Sequence, residues 1–183
     1  MKSFTEAFHE NDGHWLPWLP WRCDLKHDAA NHRMLLIPTR TDGDYYCYTG
    51  TAKPGQRPDY GLFGDATGAM ALMDVGLASG SFSKDAGNIH IFIAYCPTPD
   101  QWLTLFSRAC VRACDLPPEG ITIRAPLIES EWPEAQSTDN FDFPIDRAYV
   151  FSHLNEFGVT HHKPWNGVDD GILWFDNAAI IVP

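Results

Sequence analysis

The sequence predicts an α+β fold, a single domain with two or three helices packed on a mixed or antiparallel β-sheet. Three observations lead there. Pairs of β-prone runs flank turn formers at Asp42-Gly43 and at Asp176-Asn177, two stretches behind helix-start residues carry apolar side chains at helical spacing, and residues 88–96 alternate like a strand covered on both faces. Hairpins require antiparallel pairing, and neighbouring helices complete a two-layer core. The 183 residues are long for a small module and short for two separate cores, so residues 1–183 are read as one globular domain.

Residues 1–33 form an irregular segment rich in Trp and Pro. Within it Trp15-Leu16-Pro17-Trp18-Leu19-Pro20-Trp21 repeats Trp-Leu-Pro. Proline excludes a helix interior and favours an extended path, so the indoles either strap the core or form an exposed aromatic surface. The strap is preferred, because exposed Trp clusters are uncommon on monomers. Residues 34–37 then lead through Asp42-Gly43 into Tyr45-Tyr46-Cys47-Tyr48 as a hairpin, with Pro38 assigning its strand to an edge. Residues 50–64 read as a loop.

Asp65 caps a predicted helix through Ala69, Met70, Leu72, Met73 and Val75, ending near Gly80 and weakened at Gly68 and Gly76 by nearly ~1 kcal/mol each. Residues 88–96 follow as a central strand with Ile91 inside. Thr98, Pro99 and Gln101 make a helix start, and Trp102, Leu105, Phe106, Ala109, Cys110 and Ala113 give its buried stripe, which also accounts for Cys110 and Cys114. Ile121-Thr122-Ile123 is a short strand and residues 125–143 an acidic loop. Pro144 opens another helix with Val150, Phe151, Leu154 and Phe157 buried and Gly158 as its stop, before a terminal hairpin of residues 172–175 and 178–182.

Net charge is −11, which argues against nucleic acid, since phosphate binding is dominated by Lys and Arg. The charge is concentrated. Glu119, Glu129, Glu131, Glu134, Asp139, Asp142 and Asp146 face only Arg124 in the same stretch, either as a solvated loop or as a surface for a basic partner. Cys23, Cys47, Cys96, Cys110 and Cys114 are an odd set without a CxxC pair, which fits free thiols in a reducing compartment. The first residues carry no apolar run of signal length and no stretch reaches ~18 apolar residues, so a cytoplasmic protein without a membrane partner is expected.

Catalytic motifs are scarce. The pairs His9/His14 and His27/His32 are spaced i, i+5 and do not match HExxH, so they cannot share one helix face as a metal-ligand pair. His161-His162, with His153 before it and Asp169-Asp170 after it, could offer a general base, but no nucleophile elbow accompanies it. His90 reads as a hydrogen-bonded core residue. No glycine pattern matches a phosphate cradle, and no cofactor is expected. The function expected is therefore non-catalytic: an acidic module that neutralises a basic protein partner, as a bacterial immunity protein, antitoxin or inhibitor does. Its binding residues would be Glu129, Glu131, Glu134, Asp139 and Asp142 around an aromatic anchor, Trp132. A small metal-dependent or His/carboxylate hydrolase is the alternative.

Overall fold

The computed structural model describes residues 3–10, 15–17, 23–39, 45–49, 64–98, 101–138, 146–162 and 170–183. Twelve strands and one short helix are formed among them: β1 (Phe4–Glu6), β2 (Trp15–Pro17), β3 (Cys23–Asp28), β4 (Arg33–Pro38), β5 (Tyr45–Thr49), β6 (Met70–Ser79), β7 (Asn88–Thr98), β8 (Gln101–Arg112), β9 (Ile121–Pro126), β10 (Glu134–Ser137), α1 (Arg147–Ser152), β11 (Glu156–His162) and β12 (Ile172–Ile181). Every pairing is antiparallel. They make two six-stranded sheets. The first runs β3-β4-β12-β6-β9, with β1 beside the far half of β12; the second runs β10-β8-β7-β11-β5-β2.

Alternation with period two explains why these sheets pack face to face. On the first sheet Met34, Leu36, Ala71, Met73, Val75, Leu173, Phe175 and Ile180 point inward. On the second Ile89, Ile91, Ile93, Leu103, Leu105, Phe157 and Val159 do the same, and all of these join one buried cluster. Aromatic edges cross between the layers, Phe4 to Phe157 at 6.4 Å and Trp15 to Phe175 at 4.9 Å between ring centroids. Burying each large side chain contributes about 1.5–3 kcal/mol, so this interior drives the fold.

The expected α+β fold is thereby corrected to a β-sandwich. The helix predicted after Asp65 is β6: Ala71, Met73 and Val75 are buried while Met70, Leu72 and Asp74 turn outward, and Asp65 accepts the Thr67 amide in a turn instead of capping a helix. The helix predicted from Thr98 is β8, whose residues 103–107 are buried on both sides, so an unbroken apolar run satisfies a helical template as well as a strand. The third helix shrinks to α1, six residues capped by Asp146; Leu154 leaves it to bridge Gly64, and Phe157 and Gly158 belong to β11.

Both predicted hairpins dissolve too. β4 and β5 lie in different sheets, and β4 turns back to β3 instead, held by Asn31 and Arg33 on Asp28. With β3 outside it, β4 is an interior strand, and Pro38 is merely its last residue. Asp42-Gly43 lies outside the described residues. Asp176-Asn177 is no turn but a bulge within the continuous β12, with Asn177 at φ +48°. The strand expected at residues 88–96 lies within β7, between β8 and β11, with Ile91 fully buried. Among the described residues of the segment 1–33 lie β1, β2 and β3, and Trp15 joins the core; Trp18 and Trp21 lie outside the described residues.

Candidate functional site

The same alternation that fills the core sends every second residue of the second sheet the other way. His90, Phe92 and Ala94 of β7, Thr104 and Phe106 of β8, Glu156, Gly158, Thr160 and His162 of β11, and Glu134 and Gln136 of β10 share that outward face. The registers arrange them in rows: Glu134, Phe106, Phe92 and Gly158 in one; Gln136, Thr104, Ala94 and Glu156 in the next; and His90 beside Thr160 in a third. Outward faces of antiparallel sandwiches are ordinarily solvated and polar. Here Phe92 and Phe106 are 1% exposed, Glu156 2% and Thr160 0%, while Glu134 and Gln136 at the margin are exposed.

Aromatic and imidazole rings form a strip across this face, with Phe92 6.4 Å from Phe106, Phe106 4.5 Å from His162, and His162 5.0 Å from His90. Two local devices set it. A bulge in β8 opposite Ile91 is stitched by Ser107, whose Oγ accepts the Ile91 amide at 3.1 Å and donates to Ala109 O, while its carbonyl lies 2.8 Å from His90 Nδ1. At the start of β11, Asn155 donates its amide to Ala94 O and accepts the Cys96 amide at 2.7 Å, which fixes Glu156 beside Ala94. Beyond the bulge, partial desolvation and then the Glu134 carboxylate push the Cys110 thiol above its ordinary range. The face thus combines apolar ring surfaces, two hydroxyls and one withdrawn carboxylate, a set suited to a small, polar, ring-shaped ligand.

Sequence reasoning placed the site elsewhere. Glu129 and Glu131 bound a short 3-10 turn, and Glu134 opens β10 at the margin of the outward face. Trp132 is fully buried within its own domain, its Nε1 donating to Pro126 O at 2.9 Å and its ring meeting Phe151 at 6.3 Å. Asp139 and Asp142 lie outside the described residues. The histidines do not assemble a metal centre: among the described residues no three His, Cys, Asp or Glu side chains converge. His27 Nε2 lies 2.8 Å from Phe8 O and His32 Nδ1 3.2 Å from His9 O, tying the N-terminal segment to the β3–β4 turn; His14 is outside the described residues. His161 and His162 point to opposite faces, His161 inward against Phe82 and Ala86 O. Asp170 is engaged with the amide and hydroxyl of Ser81, and Asp169 is not described. No helix among the described residues is long and apolar enough to cross a membrane. The residues that sequence reasoning missed, Glu156, Gly158 and Thr160, carried a signal: they alternate with Phe157, Val159 and His161 at period two.

Two stacked antiparallel sheets have solved counterparts. The sandwich is similar in fold to carbohydrate-binding modules. It superposes with a TM-score of 0.59 at 12% identity on the CBM22-1 and GH10 modules of the Clostridium thermocellum endo-1,4-β-D-xylanase 10B, complexed with xylohexaose. With CtCBM11 in solution the TM-score is 0.53 at 13% identity. The chain is covered over 98% and 100% of its length, but it spans only 28% of the xylanase chain against 96% of CtCBM11. No family model matches the chain, and no curated protein matches it. At such identities the likeness is one of fold. It corrects the expectation of an α+β fold, because the frame is a β-sandwich.

Proposed function

We propose that the protein is a non-catalytic carbohydrate-binding module that takes a saccharide on the outward face of its second sheet. One observation carries this reading: the face turned away from the core sets the rings of Phe92, Phe106, His162 and His90 in a strip beside Thr104, Thr160 and Glu156, with Glu134 and Gln136 exposed at its margin. Sugar rings offer apolar C–H faces and polar edges, and the aromatic strip supplies the matching surface while the hydroxyls and the carboxylate accept and donate at the edge. The likeness in fold to carbohydrate-binding modules supports it. Trp132, the anchor expected for a basic protein partner, lies in the core. The free thiols of Cys110 and Cys114 fit the reducing compartment expected from the sequence.

Calorimetric titration with xylo-, cello-, manno- and chitohexaose tests the proposal, with Glu156→Gln as the discriminating variant. Loss of a charged acceptor removes about 1.5–3 kcal/mol, so the variant should bind about tenfold or more weakly while its circular dichroism is unchanged. Failure of the wild type to bind any of the four sugars would sink the reading.

A further inference from the structure

At one end of the sandwich a second aromatic group lies outside the face just described. Tyr149 of α1 and His153 at its C-cap are four residues apart, one helical turn, and their rings stack at 4.0 Å with 14° between planes. Tyr95 of β7 belongs to the inward-pointing row but emerges at the strand's end, where it meets Tyr149 edge-on at 5.2 Å and His153 at 5.9 Å. The hydroxyls of Tyr95 and Tyr149 are 3.5 Å apart. Ser152 holds the imidazole, its Oγ 2.8 Å from His153 Nδ1, and Tyr149 O lies 3.0 Å from the same nitrogen. Burial, followed by the hydrogen bond to Tyr149, pushes the Tyr95 hydroxyl up to about 12, so it remains a donor at neutral pH. Tyr149 is 39% exposed.

Ring spacing decides what such a group can hold. An ammonium cage needs a gap with the cation within about 6 Å of each ring face, whereas these rings touch one another and leave no room between them. What they present is a platform one ring wide, edged by two phenolic hydroxyls. We propose that Tyr95, Tyr149 and His153 form a second saccharide subsite, which stacks on a single pyranose unit and bonds its hydroxyls, independently of the outward sheet face. This inference rests on the carbohydrate reading for its ligand class but uses none of that site's residues.

Titration of the labelled protein with the same four hexaoses, followed by NMR of aromatic ring and backbone amide signals, separates the two. Perturbations at Tyr95, Tyr149 and His153 are expected in addition to those around Phe92 and Phe106. Tyr149→Ala should abolish the first set and weaken that binding phase by at least about tenfold, while Tyr149→Phe, which keeps the ring, should cost less than about threefold. Shifts confined to the sheet face, or a Tyr149→Ala titration identical to wild type, would overturn the subsite alone. Shifts at the aromatic group alone would uphold it and overturn the sheet-face site, and no shift with any sugar would overturn both.

Discussion

Asp176 faces Asp74 across the β12–β6 register, on the outward side of the first sheet. Burial raises its carboxyl above the ordinary 3.8, the Asn177 amide opposes this, Asp74 adds to it, and His9 and His32 oppose it more weakly. A carboxyl raised on folding contributes stability only while it is protonated; that contribution fades as pH climbs through its folded pKa, and at neutral pH the charged form is a liability. Asp176→Asn keeps an acceptor for the Asn177 amide and removes the charge. Its Tm should exceed that of wild type at pH 7, with the gap closing below about pH 4; equal melting curves at pH 7 would refute the assignment. Trp132 makes the opposite case, a residue whose role is structural. Trp132→Ala should cost about 3–5 kcal/mol in urea unfolding, because it empties a fully buried site and leaves Pro126 O without its indole donor. That role was illegible in the sequence for a physical reason. A lone indole among Glu129, Ser130, Glu131, Pro133 and Glu134 has no apolar period around it, so nothing local says which way it turns.

Among the elements, β12 depends most on what lies beneath it. The Trp174 indole lies over Gly76 and Gly120, its Nε1 donates to Pro118 O at 3.1 Å, and Arg33 sits 5.2 Å above the ring while bonded to Asp28. A Cβ at Gly76 would run into the indole, and Gly120 holds φ +90°, which side chains resist. Gly76→Ala should therefore destabilise the fold by about 1–3 kcal/mol, and Trp174→Leu should recover part of that loss in the double variant, as a double-mutant cycle in denaturant will show. Without that recovery, the glycine would be needed for some other reason. Elements differed in legibility along the same physical line. Residues 88–96 could be read because isoleucines alternate with a different set; β8 could not, because five consecutive buried residues fit periods of 2 and 3.6 alike. For β6 the alternation of Ala71, Met73 and Val75 was present, but Met70 and Leu72 on the outward side filled the gaps and completed a false helical stripe.

At the scale of the whole molecule, sheet membership did not follow from sequence neighbours. β4 and β5 are consecutive strands assigned to opposite layers, a choice made by the far-off partners β12 and β11. The outward face of the second sheet was hidden for the same reason: its rows join the β7–β8 hairpin to β10 and β11, which meet it only through long-range register. This arrangement bears on how the chain is made. Without β12, the first sheet is only the β3–β4 hairpin, the β6–β9 pair and an unattached β1; without β11, the second is split into β10-β8-β7 and β5-β2. Both bridging strands follow all their sheet partners along the chain, and non-local pairing of this kind is slow. The second layer therefore stays split until residue 162 has been made and the first until residue 181, and until then the nascent chain carries the open edges of β7 and β5 and of β4 and β6, the surfaces that chaperones must shield from edge-to-edge aggregation.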